Sequence, residues 1–534
     1  MKKWIRMLSA ALFMTVFSGL QTLAENTINA EVQQKSHAVK GIVKDALGPM
    51  AGVNVMVKGT TNGVMTDVDG KYELKDVNVG SVIEFSFVGY KTVEINVGTG
   101  ELINVTLEED QNLLEELVVI GYGTVKKSDV TGSVASVGAE DLGKSSTGDP
   151  IQAIQGRAAG VQIVTAGGSP DAVAEIKIRG TGSPNGSSPL FVVDGFPMND
   201  IQHLSPNDIS SMEILKDASA CAIYGSRGAN GVVMITTKQA KAGSLKINVK
   251  TEFGIEATPS RPEMMNSVEY AEMTNLARSN SGLDAKYGDP SSITTNTDWF
   301  GEVMRIGKYQ NYSVTLSGGS EKVSTTFTSN LFSREGTVKS TKFSRLNFSQ
   351  NTQYKPFKAL TLKAKFSGSF MKTNSLGANG SNNRTIFLSS LIAPPDVPVW
   401  DETTNYYSGI TAFRLANPAG VISRNNFKGN MNMFLTNLSA DLKIYKDLTF
   451  TSRFGYRYGI GLDSTFSPEY FETSNIASGN NEISRRTSFF KDWTWENMLT
   501  WNKTIGAHDF SVMGAMSARD FYSENYFGEQ EESS

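Results

Sequence analysis

Long runs of strictly alternating apolar and polar residues fill the sequence from about Leu245 to its end. In residues 360–370, leucine, alanine and phenylalanine alternate with threonine, lysine and serine, and residues 312–317 and 448–458 follow the same rule. Successive side chains of a β-strand point to opposite faces, so each run predicts a strand with one apolar and one polar face. The polar faces include Lys and Arg. This alternation fits a soluble β-sandwich as well as a membrane β-barrel.

The lengths of these runs and of the connections between them favour the barrel. Most runs reach about ten residues, which is the length that a tilted membrane strand requires. Short turns are predicted near residues 318–321, 354–359, 445–447 and 502–508, and long polar excursions near 258–308, 333–342, 373–430 and 460–488. Short turns on one side and long loops on the other are typical of outer-membrane barrels. About nine strands are predicted, the last ending near Ala518, in an incomplete antiparallel transmembrane β-barrel over residues 245–534.

The first residues predict export. Lys2, Lys3 and Arg6 precede an apolar run from Met7 to Leu20, and small residues follow as far as Ala24. A basic start, a short apolar stretch and a small residue at the end describe a cleavable signal peptide, here residues 1–24. The run is shorter than the roughly 20 apolar residues that a membrane-spanning helix needs.

Composition excludes several other functions. The formal net charge is −4, so no global positive field attracts nucleic acid. The chain has one cysteine, Cys221, and three widely spaced histidines, which rules out an intrachain disulfide and a Cys/His zinc site. Cys221 is interpreted as a small buried residue.

Residues 39–108 predict a separate small β-sandwich. About seven short apolar alternations are divided by turn signals such as Asp67-Val-Asp-Gly70. Asp67 and Asp69 are assigned to a turn, because a calcium loop of the EF-hand kind needs a frame of about 12 residues ending in Glu. Residues 131–238 mix strand patterns with two short helix patterns at 151–156 and 217–224, and they predict a small α+β domain.

An isolated β-branched strip lies between these two regions, at residues 113–127. It is either an interdomain linker strand or a docking strand that pairs with the sheet edge of a partner. The residues alone leave these alternatives about even.

Several sequence blocks carry a resemblance to a known family. They include Glu116-Leu-Val-Val-Ile-Gly-Tyr-Gly-Thr124, Ala153-Ile-Gln-Gly-Arg-Ala-Ala-Gly-Val161, Pro189-Leu-Phe-Val-Val-Asp-Gly-Phe-Pro197 and Leu215-Lys-Asp-Ala-Ser-Ala-Cys-Ala-Ile-Tyr-Gly-Ser-Arg-Gly-Ala-Asn-Gly231. In this order and spacing the chain resembles the SusC/RagA family of TonB-dependent outer-membrane transporters. Cys221 departs from that pattern, where a small residue such as Ala is expected.

The resemblance implies a domain order and a set of partners. It implies a carboxypeptidase-regulatory-like sandwich at 39–108, a plug at 128–238 and a barrel of about 22 strands, of which this sequence holds the first part. It also implies a TonB box within residues 113–127, namely Glu116, Leu117, Val118, Val119, Ile120 and Gly121. TonB with its inner-membrane motor, a SusD-like surface lipoprotein and outer-membrane lipid are the implied partners.

Two arginines are singled out as plug–barrel contacts. Arg179 and Arg227 lie in glycine-rich segments that the resemblance assigns to the barrel lumen, and opposite charges across the lumen wall could hold the plug in register. We expect both to be buried and paired with acidic groups. Simple surface solvation is the alternative.

The predicted function is energised import of a bulky nutrient, most simply an oligosaccharide, with peptide import as the alternative. A passive surface receptor or adhesin and a secreted glycan-active enzyme are the rivals from other classes. The sequence has no Gly-x-Ser-x-Gly, His-Glu-x-x-His or phosphate-loop motif, so no catalytic residues, metal or cofactor are assigned. Substrate-binding residues are not assigned either. Since about nine strands do not close a barrel around a plug, we expect a half-cylinder that is not a transporter by itself.

Overall fold

The computed structural model describes residues 36–533, apart from short gaps. The gaps are residues 46–47, 61, 88–89, 101, 109–116, 121–122, 127–133, 146, 166, 183–185, 218–220, 240–241, 259, 377–382, 413–414, 425 and 507. The predicted signal peptide, residues 1–24, therefore lies outside the described residues. The chain divides into two compact units after residue 116. No helix within the described ranges is long and apolar enough to span a membrane.

The first unit is the predicted β-sandwich. Its strands are β1 (Ser36–Lys44), β2 (Asn54–Val57), β3 (Gly63–Met65), β4 (Lys71–Asn78), β5 (Val82–Ser86), β6 (Val93–Asn96) and β7 (Val105–Thr106). One sheet has the order β4-β1-β7 and the other β3-β2-β5-β6. Alternate residues such as Val39, Val55, Leu74 and Phe85 are buried in its core. Asp67 accepts hydrogen bonds from the backbone N–H groups two and four residues later, so it forms a turn as predicted.

A short hairpin opens the second unit. Strand β8 (Leu117–Ile120) pairs antiparallel with β9 (Gly123–Lys126). The predicted TonB box therefore coincides with β8 over Leu117–Ile120, while Glu116 and Gly121 lie outside the described residues.

An α+β body follows, described from residue 134 to 238 and called the plug below. Its elements are β10 (Val134–Gly138), α1 (Ala139–Gly143), β11 (Val161–Thr165), β12 (Ala174–Ile178), β13 (Leu190–Val193), β14 (Phe196–Met198), β15 (Ile209–Leu215) and β16 (Val232–Thr237), with 3₁₀ turns at Gln152–Ile154, Pro206–Asp208 and Ala222–Gly228. Five strands form one sheet in the order β10-β15-β16-β13-β14, and β11 pairs with β12. The first predicted helix is only a 3₁₀ turn. Of the second, residues 218–220 lie outside the described residues, and its end is a 3₁₀ turn that Gly225, with φ 58°, interrupts.

The rest of the chain forms one antiparallel sheet, called the wall below. Its strands are β17 (Gly243–Glu256), β18 (Gly307–Gly319), β19 (Val323–Glu335), β20 (Lys342–Phe357), β21 (Leu360–Ser375), β24 (Asn426–Tyr445), β25 (Leu448–Ser467), β28 (Asn480–Ile505) and β29 (His508–Ser533). These nine strands pair in chain order. The strand number agrees with the prediction, but β29 continues to Ser533 instead of ending near Ala518. It does so because β28 and β29 keep pairing throughout, from Ile505 opposite His508 to Asn480 opposite Ser533.

The two faces of the wall are inverted relative to a soluble protein. Large apolar side chains such as Leu362, Phe366 and Leu438 are exposed on one face. On the other face, polar and charged side chains such as Asn347 and Lys365 are buried. A soluble sandwich buries its apolar face, so this inversion favours the membrane barrel over the sandwich.

The long connections fold at one end of the wall. They contain the helices α2 (Ser267–Asn280), α3 (Trp299–Val303), α4 (Asn383–Ile392) and α5 (Pro418–Arg424) and the short strands β22 (Trp400–Asp401), β23 (Tyr406–Tyr407), β26 (Tyr470–Thr473) and β27 (Ile476–Ser478). Trp299, Val303, Ile410 and Ile422 are buried among them. A buried ion pair joins Arg424 of α5 to Glu472 of β26, so two of the long connections are held together. The excursion predicted at residues 333–342 is a connection of only six residues, 336–341, between β19 and β20.

Candidate functional site

The contact between the plug and the wall is the candidate functional site. The inward face of the wall presents Ser, Thr, Asn, Lys and Arg side chains, and many of them are buried although they are polar. Buried polar groups are costly unless they are hydrogen-bonded, so their partners reveal how the plug is held.

Asp194 and Lys365 form the most enclosed ion pair between plug and wall. Asp194 begins the two-residue turn from β13 to β14, with φ 48°, and Gly195 completes it with φ 87°. The Asp194 carboxylate accepts hydrogen bonds from the Thr237 N–H at 2.9 Å and the Thr237 hydroxyl at 2.8 Å, and it pairs with the Lys365 ammonium. Burial by itself would raise the pKa of Asp194, but Lys365 and Thr237 outweigh it and hold the pKa below its ordinary value. The pair and the Thr237 hydrogen bonds therefore join the end of β16, the last strand of the plug, to β21 of the wall.

A second set of contacts holds the plug segment 200–204. Arg345 of β20, which is 1% exposed, donates to the carbonyl oxygen of Gln202 at 2.6 Å and to that of Gly148 at 2.7 Å. Asn347, two residues further along the same strand face, donates to the carbonyl oxygen of His203 at 2.9 Å. One wall strand therefore grips two separate plug segments through their backbones.

His203 lies at the centre of this interface. Burial, reinforced by the nearby Arg457, Arg345 and Lys365, lowers the pKa of His203 to about 3, so its ring is neutral at physiological pH. Neither ring nitrogen has a hydrogen-bond partner among the described residues. The ring borders a cavity of about 20 Å³. That volume suffices for one ordered water.

Apolar contacts complete the seating of the plug. Leu435 of β24 belongs to the same buried cluster as the plug residues Phe196 and Met198. Opposite Phe196 the wall has Gly455, where a Cβ atom would lie only 2.2 Å from the ring. A side chain at Gly455 would therefore push the β13–β14 turn away from the wall.

A third charged group lies on β25, β28 and β29. Arg457 stands directly opposite Asp492 in the pairing of β25 with β28. Asp492 also pairs with Arg519 of β29, and Arg457 has the plug residue Asp200 as its next carboxylate, 3.9 Å away.

Neither of the two predicted plug–barrel arginines is buried in this interface. Arg179 is paired, but with Asp217 of the plug itself, and its side chain is 55% exposed. Its φ of 57° places it in a turn immediately after β12. Arg227 is also exposed. The expected burial of both is therefore wrong, and the contact that Arg179 makes is internal to the plug.

The charges that do bridge plug and wall were not singled out from the sequence. Lys365, Arg345 and Arg457 stand at polar positions of alternating runs, so the period of two already placed them on the inward face. A charged residue at an inward position is the signal that could have identified them. Cys221 is buried, as interpreted from the sequence. Among the described residues, no group of three or more His, Cys, Asp or Glu side chains is placed to hold a metal ion.

Comparisons with known proteins agree with this architecture. The TonB-dependent Receptor Plug Domain family matches residues 126–232, and the CarboxypepD_reg-like domain family matches residues 39–119. The TonB-dependent receptor P3 of Formosa agariphila is 33% identical over 525 residues, covering 94% of this chain and 50% of the relative. The TonB-dependent receptor SusC of Bacteroides thetaiotaomicron is 31% identical over 542 residues, covering 94% of this chain and 52% of SusC. The chain thus spans about half the length of the curated relatives it matches.

A solved structure shares the fold. The RagAB peptide importer in its open-open state superimposes with a TM-score of 0.66 at 25% sequence identity, over 78% of this chain and 50% of the matched chain. Its closed-closed state gives a TM-score of 0.63.

Proposed function

Because the chain belongs to the SusC/RagA type of TonB-dependent outer-membrane receptors, we propose that the protein imports a bulky nutrient across the outer membrane with energy supplied through TonB. The observation that carries this proposal is a plug held on the polar face of a membrane sheet by a few separable contacts. A plug blocks passive diffusion, so transport requires the plug to rearrange. A rearrangement that moves the turn at Asp194 or the segment at Gln202 away from the wall has to break the contact with Lys365 or with Arg345.

The coupling strand is assigned to residues 116–121. Within it, Leu117–Ile120 forms β8, whose only strand partner among the described residues is β9. A strand with a free edge can add to the sheet of TonB through backbone hydrogen bonds, which share the load when the partner pulls. An interdomain linker strand is the alternative for the same residues.

Deletion of residues 116–121 from the full-length protein tests the coupling. We expect uptake to stop while outer-membrane assembly and cargo binding stay at wild-type level, because only the strand that TonB pairs with is removed. Deletion of residues 128–133, which follow the coupling strand in the sequence, is the length-matched control. Uptake that continues at the parental rate after the first deletion, or in cells whose proton gradient has been collapsed, would contradict energised import.

For the cargo we propose an oligosaccharide, delivered with a SusD-like surface lipoprotein that covers the outer opening. The resemblance to the SusC/RagA family implies this cargo and partner, and the chain is similar to SusC over most of its length. Peptide import is the second candidate, favoured by the structural similarity to the RagAB peptide importer. Uptake of labelled oligosaccharides and of labelled peptides by cells that express the full-length protein distinguishes the two. Binding without energised uptake would instead favour a passive surface receptor.

A further inference from the structure

Two arginines of the wall share a single carboxylate. Asp492, which is fully buried, accepts hydrogen bonds from Arg519 Nε at 3.0 Å and Arg519 Nη2 at 2.7 Å. The same carboxylate accepts one hydrogen bond, of 3.3 Å, from Arg457 Nη2. Asp492, Arg457 and Arg519 together therefore carry a net charge of +1. Arg457 is the more weakly bonded of the two arginines.

Arg457 is buried but incompletely satisfied. It is 4% exposed, and its guanidinium lies over the Phe490 ring, 4.9 Å from the centroid. Its Nε and Nη1 have no hydrogen-bond partner among the described residues. Buried donors without acceptors are uncommon and costly, so these two groups point to an acceptor that binds there.

The plug supplies a nearby but imperfect acceptor. Asp200 Oδ2 lies 3.9 Å from Arg457 Nη1, beyond hydrogen-bonding distance. The Asp200 side chain is 55% exposed. An anion that enters from the solvent side of Asp200 can therefore take its place beside Arg457. Asp200 is also only two residues from Gln202, whose carbonyl oxygen is held by Arg345.

We propose that Arg457 is a subsite for a carboxylate group of the cargo, that Asp200 is its built-in competitor, and that cargo binding loosens the plug segment 200–204 from the wall. This inference rests on the proposed import function. A guanidinium donates charge-assisted hydrogen bonds to carboxylates, and the open Nη1 group, 3.9 Å from Asp200 Oδ2, can provide one. Displacement of Asp200 removes one of the attachments of the segment that Arg345 and Asn347 also hold. Cargo binding in the lumen thereby weakens the attachment of the plug segment 200–204 to the wall.

The carboxylate can come from an acidic sugar or from a peptide, and two pairs of probes distinguish these sources. The first pair is trigalacturonate and its methyl ester. The second is an acidic pentapeptide and its fully amidated counterpart. Binding of each probe to the purified full-length protein is measured by calorimetry, without any energy source, so a failure of energised uptake leaves this measurement intact.

Arg457→Gln, Asp200→Asn and Lys503→Gln are the variants. We expect the wild type to bind the carboxylate member of at least one pair about tenfold more tightly than its neutral partner, which is the scale of one charge-assisted hydrogen bond. Arg457→Gln should abolish this preference, and Asp200→Asn should increase it because the competitor is gone. Lys503→Gln is the control, since Lys503 pairs with Asp447 beside the tight turn between β24 and β25. The proposal is overturned by equal binding of both members of both pairs, or by a preference that survives in Arg457→Gln.

A labelling experiment tests the loosening even if Arg457→Gln fails to assemble. A cysteine replaces Gln202, and the one cysteine of this sequence, Cys221, is buried. Maleimide labelling at position 202 should become several-fold faster when the preferred carboxylate probe is added, and equally fast in Asp200→Asn without a probe. If neither the carboxylate probe nor Asp200→Asn changes the labelling rate, the proposed loosening of the plug segment by cargo binding is overturned.

Discussion

Single charged residues of the wall hold the plug, and they bind different kinds of acceptor. Lys365 meets a carboxylate, and Arg345 meets two backbone carbonyl oxygens. An ion pair depends on the charge of both partners, whereas a backbone carbonyl accepts a hydrogen bond whatever side chain its residue carries. The Asp194–Lys365 contact is therefore the one that pH and single substitutions should affect most.

Asp194→Asn should loosen the plug at neutral pH. It leaves the Lys365 ammonium buried without its carboxylate, and the loss of one partner of a buried pair costs about 3 kcal/mol. Hydrogen exchange of residues 190–198 in the full-length protein measures this. Asp441→Asn is the matched control, because it removes a carboxylate from the more exposed pair with Lys363, which is worth about 1 kcal/mol at most.

The same pair predicts a pH dependence. The folded-state pKa of Asp194 lies below its ordinary value of about 3.9, so the stabilisation is present above about pH 4 and is lost as the pH falls through the lowered pKa. Wild-type protein should therefore show a step of faster exchange at residues 190–198 in strong acid. The Asn variant should lack this acid-dependent step. Buried His203 adds a separate dependence, because its pKa of about 3 lies below the ordinary value of about 6.5, and opening that exposes the ring is favoured below that pH. An acid-dependent step that persists unchanged in the Asn variant would contradict the assignment to Asp194.

Each strand of the wall has two chemically different faces. The outward face is apolar and meets lipid, and the inward face is polar and meets the plug. Leu438 of β24, for example, lies outward between Ala364 and Phe454 on the neighbouring strands, whereas its neighbour Leu435 lies inward within the plug core. Because side chains alternate, the two faces can be changed independently.

Leu438→Arg should impair assembly of the full-length protein in the membrane. A lipid-facing arginine near the bilayer midplane costs about 2–4 kcal/mol. Recovery of heat-modifiable protein from outer membranes measures the effect, and Leu438→Met is the control that keeps the apolar volume. Normal recovery of the arginine variant would mean that this face of β24 does not meet lipid.

At the scale of the whole molecule, the wall is an open sheet. Within the described residues β17 pairs only with β18, and β29 only with β28. An unpaired strand edge in hydrocarbon leaves backbone groups without partners, at several kcal/mol each, so further strands or another chain must cover these edges in a membrane.

A polypeptide of only these 534 residues should therefore not yield an active transporter. We expect it to be degraded or to aggregate unless further strands or another chain cover the open edges of the sheet. The measurement is heat-modifiable migration of outer-membrane protein together with cargo uptake. A folded species that imports cargo would show that this sheet closes in some other way, for example by association of two copies.

The wall strands, their number and their two faces follow from the alternation of residues, because a period of two needs no knowledge of what lies opposite. The blocks from Glu116 to Gly231 likewise identified the plug. Which inward residue meets which plug segment depends instead on long-range packing, which no local pattern contains. Lys365 and Lys363 have the same type and face, yet one is buried against Asp194 and the other pairs with Asp441 of the next strand. Arg179 and Arg227 are charged residues of the plug, yet both are exposed. Such differences depend on how the plug is turned inside the wall, and that orientation is set by contacts between residues more than a hundred positions apart, such as Gln202 and Arg345.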